Sequence, residues 1–323
     1  MRESGGSFTI KSQDDGTPIS ELLTLNDGLL LLTQKAIYEV KLADQIDPKR
    51  ENPNIPPTVQ RRILDIGTDS ELVGRVLLTA RKLFRKEFLP RSIDLTQAMT
   101  LAYEALMDIV AMQSTSDDYM LAEKRAIEVA EQSGASTIPC IGNVQARCKS
   151  FFQQADHVVQ SMRDIMKLFY PELGSKWNFG SLHGFLKDKY GEHDDFTKFI
   201  DLALPFLKMV RNTRDCLDHR NVKGAVITDF VPLSDGTLDP PAITVKFRDT
   251  NQPSVALSLC MPKATESMLN CIEPLMAFVC SKRVISFAGC AVQVAALPAE
   301  RRSNKYVQYG YWVDIGSGFS PIG

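Results

Sequence analysis

The sequence predicts an α+β chain, a mainly α-helical bundle followed by a small antiparallel β-sheet with one packed helix. Three observations predict it. Through the first two-thirds of the chain, apolar residues recur at spacings of three and four, as on the buried stripe of a helix. After Asn221 the period changes to two in the short segments "GAVITDFV", "PAITVKF" and "SVALSLCM", which "SDGTLDPP" and "DTNQP" separate as hairpin-like turns. One more helical segment, from Lys263 to Cys280, follows those strands.

Taken in order, residues 1–17 read as a polar, flexible tail and residues 18–139 as an N-terminal helical region. Within that region a helix is expected from Ile19 to Leu42, with Asn26, Asp27 and Gly28 as an interruption. The proline-rich "DPKRENPNIPP" is a loop. Helical periodicity resumes from Ser70 to Phe88 and stops at Pro90. A helix from Thr96 to Met112 is followed by "STSDDY" as turn and cap, then by a helical segment from Met120 to Glu131. Residues 140–221 form a second helical region, with a long helix over Val144 to Phe169 and a shorter one within "WNFGSLHGFLKDKYG". A third helix is capped by Asp194 or Asp195. Residues 222–323 are a β-rich extension with one helix, and "KYVQYGYWV" reads as a last strand. The change near residue 222 is either a domain boundary or a sheet laid on the bundle.

The chain has 323 residues, with 37 Lys and Arg against 39 Asp and Glu, so any nucleic-acid site on it has to be local. The longest apolar runs, such as "GLLLL", fall far short of the roughly 18 to 20 residues that cross a bilayer. The N-terminus lacks the apolar core of a signal peptide. A cytoplasmic protein is the expectation. Seven cysteines, with neither a Cys-x-x-Cys pair nor a histidine at metal spacing, read as reduced thiols, and no metal or cofactor is expected. Cys260 is placed at the end of an apolar strand.

The densest charge lies in "MVRNTRDCLDHRN", residues 209–221, at the end of an apolar helix. With Phe196 at zero on a helical wheel, Ile200, Ala203, Leu207, Val210, Arg214 and Leu217 fall within about 60 degrees of it. Arg214 therefore sits on the apolar stripe, where its guanidinium needs a partner, a cavity or an interface. Ion pairs at the helix end, Arg211 with Asp215 and Arg214 with Asp218, would explain it in part, at about 0.2–0.5 kcal/mol each. His219 points roughly 140 degrees from Arg214 on a continuous helix. The two converge only if the helix ends there or if a second copy supplies a facing pair. Asn221 and Gly224 are suitable terminators.

Arg214-Asp215-Cys216-Leu217-Asp218-His219 resembles the signature of the HEPN superfamily: an arginine, a polar residue, a short spacer and a histidine near the end of a bundle helix. The resemblance is confined to this motif and the helical context of residues 140–221. Arg211-Asn212 has the same arginine-plus-polar look but stands seven residues from His219, so the motif is assigned to Arg214.

The resemblance implies a metal-independent endoribonuclease acting as a homodimer with a composite site. It would yield a 2′,3′-cyclic phosphate and act as a toxin or defence effector, with an antitoxin or regulatory protein as a further partner. In that chemistry His219 is the general acid or base, because it alone in the stretch changes charge near neutrality. Arg214 stabilises phosphate charge through its planar fork, and Asp215 orients one of these groups. Arg211, Asn212 and Arg220 are candidate substrate contacts. The rival reading is a non-catalytic nucleotide- or RNA-binding regulatory module, which the acidic pI of about 6.1 favours. Trp177 and Phe179 are candidate base-stacking residues as well as core anchors. "TARKLFRK" and "KRENPNIPP" are modest basic patches, "GSGFSPIG" reads as a flexible tail, and His157, His183 and His193 have no evident partners.

Overall fold

The computed structural model describes residues 16–25, 28–133, 137–174, 177–219, 224–235, 237–316 and 318–322. The expected tail over residues 1–17 lies almost wholly outside them, as does candidate Arg220. The chain is mixed helix and sheet, with several small antiparallel sheets beside long helices. It divides into two compact units, Met1–Tyr103 with Cys280–Gly323, and Glu104–Val279. The second unit thus holds the helices of residues 140–221 together with the strands that follow, and residue 222 is internal to it.

The first unit begins with strands β1 (Ile19–Leu25), β2 (Gly28–Thr33) and β3 (Ile37–Leu42), where a helix was expected. Leu25 pairs antiparallel with Gly28, so the expected single helix is instead two paired strands; Asn26 and Asp27, read as its interruption, lie outside the described residues. Leu31, Leu32 and Ile37 are fully buried. The β2–β3 turn closes through Thr33, whose Oγ1 accepts from the Ala36 N–H at 2.9 Å and donates to the Ala36 carbonyl at 3.1 Å. A short α1 (Ala43–Ile46), the proline-rich loop and β4 (Thr58–Leu64) complete an antiparallel sheet in the order β1-β2-β3-β4.

The helix expected from Ser70 to Phe88 is composite: α2 (Glu71–Val73), a π-helical turn (Gly74–Leu78) and α3 (Thr79–Leu83). It ends at Leu83, before Pro90 is reached. Next, α4 (Leu95–Ser133) is one 39-residue helix, with no break at "STSDDY". Polar residues can sit inside a helix when their hydroxyls bond back to the preceding turn. Thr115 does so to the Ala111 carbonyl at 2.9 Å, Gln113 bonds Asp117 at 2.8 Å, and Ser116 and Tyr119 are buried.

In the second unit α5 (Val144–Phe169) has the expected bounds, and α6 (Phe179–Tyr190) is capped by Asn178, which accepts from the Ser181 N–H at 3.0 Å. Helix α7 (Asp195–Asp218) starts where the Asp194 carboxylate accepts from the Phe196 N–H at 3.0 Å. It packs on α5 and α6 and also on β5 (Ala225–Thr228), β8 (Ala242–Phe247) and β9 (Thr250–Ala256). Those three strands form a sheet in the order β5-β8-β9, while β6 (Val231–Pro232) and β7 (Leu238–Asp239) pair separately. The turn between β8 and β9 falls at Arg248 and Asp249, so most of "DTNQP" is strand. Helix α8 (Leu257–Arg283) begins earlier than expected and takes Cys260 into a helix rather than a strand.

The chain re-enters the first unit at Cys280 and adds a three-stranded sheet, β10 (Val292–Ala296), β11 (Tyr309–Asp314) and β12 (Phe319–Pro321). β12 replaces part of the expected flexible tail. Tyr311 stacks on Phe88 at 4.2 Å and donates to the Leu83 carbonyl at 2.5 Å, which fixes this sheet against α3.

Gly224 lies close against α7 and β8. A Cβ there would stand 2.6 Å from Cys216 Sγ and 2.8 Å from Phe247 Cβ. Gly224→Ala is therefore expected to lower unfolding stability by about 1–3 kcal/mol in urea denaturation.

Candidate functional site

The residues of the motif lie on the last turns of α7. Phe196, Ile200, Ala203, Leu207 and Val210 are all buried, as their stripe requires, and Arg214 continues that stripe. Its side chain is 23% exposed and faces Asp156 of α5, whose side chain is only 2% exposed. The contact is two-pronged: Nε and Nη2 donate to Asp156 Oδ2 at 3.0 and 2.6 Å. Nη1 stands 3.2 Å from Asp215 Oδ1, and Nε 3.8 Å from Asp218 Oδ2. Burial works against the charge on Arg214. The hydrogen bond and charge of Asp156, then the charges of Asp215 and Asp218, outweigh it and hold the guanidinium above its ordinary pKa.

Each aspartate has further partners. Gln160 donates to Asp156 Oδ2 at 2.8 Å, while Asp156 Oδ1 is buried without a hydrogen-bond partner among the described residues. Asp215 Oδ2 pairs with Arg248 in the β8–β9 turn at 3.0 Å. Asp218 accepts from Gln153 at 2.8 Å and stands 3.3 Å from Lys149, both on α5. Three carboxylates therefore meet three cations in a charge-balanced web joining α5, α7 and the hairpin.

Of the candidate residues, Arg214 and Asp215 are brought together, while Arg211 does not form the expected pair with Asp215. Asp215 turns instead to Arg214 and Arg248. Asn212 is 4% exposed and serves as an anchor: its amide donates to Asp249 Oδ1 at 3.1 Å and to Thr250 Oγ1 at 2.8 Å, and its oxygen accepts from Arg248 at 3.2 Å. Arg211 is exposed, and with Asn212 it lines a cleft of about 560 Å³. His219 follows the last helical residue with extended backbone, φ −101° and ψ 107°, and is exposed. The helix thus ends where convergence with Arg214 would need it to end. No hydrogen bond or ion pair joins the two among the described residues.

Asp156, Lys149, Gln153 and Arg248 were missed by the sequence reading. Asp156 carried a signal, since it falls on the stripe of α5 defined by Phe152, Ala155 and Val159 and breaks it as Arg214 breaks that of α7. Two other histidines have acidic neighbours that spacing did not reveal, His157 with Asp108 at 3.4 Å and His183 with Asp201 at 3.7 Å. No group of three His, Cys, Asp or Glu side chains among the described residues is placed to hold a metal ion. All seven cysteines are free. No protein-family model, curated protein or solved structure matches the chain.

Two outcomes follow from this geometry. Asp156→Ala leaves Arg214 half-desolvated without its main counter-charge and is expected to cost about 3 kcal/mol, whereas Arg248→Ala, at an exposed pair, costs less than about 1 kcal/mol; urea denaturation measures both. Burial raises the thiol pKa of Cys148 and Cys271 to about 12. Peptide mapping after brief alkylation at neutral pH should find label on the exposed Cys140, and on Cys148 and Cys271 only after unfolding.

Proposed function

We propose that the second unit is an RNA-binding regulatory module of HEPN type that does not itself cleave RNA. The observation that carries this reading is the engagement of Arg214 by Asp156, Asp215 and Asp218. Attack by a 2′-hydroxyl on the adjacent phosphate needs a cation free to meet the charge that builds on the phosphoryl oxygens. Drawing the guanidinium to a phosphate would strand the buried Asp156 carboxylate, a cost of about 3–5 kcal/mol. Recognition then falls to exposed groups near the helix end, Arg211, His219 and Arg248, with Arg220 assigned the same role on sequence grounds. Phosphate contacts of this type position RNA without reading its sequence.

One observation favours a second reading, the metal-independent endoribonuclease. His219 is exposed just past the last helical residue, where the motif of a second copy could face it across a homodimer. In that reading the chain is a toxin or defence effector with a regulatory partner. Assay of single-stranded and structured RNA in EDTA separates the two. The proposal predicts saturable, salt-sensitive binding that Arg211→Ala weakens severalfold, with the RNA left intact by wild-type and His219→Ala protein alike. Cleavage by the wild-type protein that His219→Ala abolishes would establish the second reading instead.

A further inference from the structure

Three aromatic rings gather around one lysine at the end of α6. Phe185 and Lys189 stand four residues apart on that helix, so their side chains share a face, and Tyr190 follows directly. Tyr170 arrives from the other direction, as the residue that ends α5 with non-helical backbone, φ −133° and ψ 70°. Lys189 Nζ lies over the Tyr170 and Phe185 rings at 5.1 Å each and over the Tyr190 ring at 5.9 Å. A carboxylate completes the surround: Nζ donates to Glu172 Oε1 at 2.5 Å, from the short helical turn Pro171–Leu173.

The rings are held by one another rather than by the lysine. Tyr170 is fully buried, its hydroxyl meets that of Tyr190 at 3.1 Å, and Phe185 packs edge-on against it with centroids 5.8 Å apart. The Lys189 side chain, by contrast, is 34% exposed and open to solvent on one side. The spacing decides what this cage fits. A methyl carbon bonded to nitrogen at about 1.5 Å and touching ring carbons at about 3.5–4.0 Å spans about 5 Å from nitrogen to ring. The observed 5.1 Å matches a nitrogen that carries methyl groups, while the shorter N–H bonds leave part of that span empty. Methylation keeps the charge that ring faces attract, and it removes donors that the rings satisfy less well than water does. Glu172 sets an upper limit, because its hydrogen bond needs at least one N–H to remain.

We propose that Lys189 is a site of lysine methylation, and that Tyr170, Phe185, Tyr190 and Glu172 form an intramolecular cage for its mono- or dimethylated ammonium. The methyl donor is a sulfonium of the S-adenosylmethionine class, used by a separate methyltransferase. A base of that enzyme takes a proton from the ammonium, and the amine lone pair attacks the methyl carbon. The N–C bond forms, the C–S bond breaks, and the sulfonium leaves as a neutral thioether. Lysine keeps one positive charge, and the caged group ties the end of α6 to the end of α5. None of these residues is among those assigned to RNA contact, so the inference stands apart from that reading.

Peptide mapping by mass spectrometry of the full chain, isolated from the cells that make it, tests the modification. One or two methyl groups are expected on Lys189. Lys187 is the control: it pairs with Glu192 at 3.2 Å, has no ring beside it among the described residues, and should carry none. Chemical dimethylation of the purified full chain with isotope-labelled formaldehyde and a borane reductant tests the cage. In the proton–carbon correlation spectrum the dimethyl-Lys189 signal, assigned by its loss in Lys189→Arg protein, should lie upfield of the other lysine signals through the ring currents. Phe185→Leu should return it toward them. An unmethylated Lys189 in protein from those cells, or a dimethyl-Lys189 signal coincident with those of the other lysines, would overturn the proposal.

Discussion

A guanidinium laid on an apolar helix stripe has to bring its counter-charge with it, and in the second unit that requirement organises the packing of α7. Arg214 meets Asp156, and the two residues fix the rotation of α7 against α5 more tightly than interchangeable apolar contacts would. Removing either partner leaves a charge in low-dielectric surroundings, while replacing both with apolar residues leaves only a packing problem. The pair therefore specifies an arrangement more than it adds net stability. The buried Asp156 Oδ1, with no partner among the described residues, limits that net contribution further.

Around this pair the web stays electrically balanced, as Asp215 and Asp218 take up Arg248 and Lys149. Beside the web, a cleft is lined by Arg163, Lys208, Arg211 and Arg248, of which Lys208 pairs with Asp249 and Arg248 with Asp215. Helix α7 thus has two uses. Its last turns hold the unit together, and its Lys208 and Arg211 side chains face a cavity. Arg248 belongs to both, pairing with Asp215 and lining the cleft.

The helices with a clean apolar stripe were legible in the sequence: Val144–Phe169 and the helix capped by Asp194 have the expected bounds or caps. Ile19–Leu42 was misread because a run such as "GLLLL" fits a buried strand as well as a helix, and periodicity cannot arbitrate at that length. Only the pairing of Ile19–Leu25 with Gly28–Thr33 decides it. "STSDDY" was misread as a break because hydroxyl residues favour caps, a preference that back-bonding by Thr115 and burial of Tyr119 override. At the site, the anomaly of Arg214 was visible and its resolution was not. Its partner lies 58 residues away on another helix, and no local spacing rule reaches that far. What was available was the matching anomaly of Asp156 on α5. Two oppositely charged residues that each break an apolar stripe are a pairing hypothesis.

On this reading Arg214 pairs with Asp156 rather than acting on a phosphate. A double-mutant cycle in urea denaturation, with Arg214→Met, Asp156→Leu and the combined variant, measures it most directly. The combined variant is expected to recover most of the stability lost by each single change, with a coupling energy of about 2 kcal/mol or more. Losses that simply add, showing no coupling between the two positions, would contradict it.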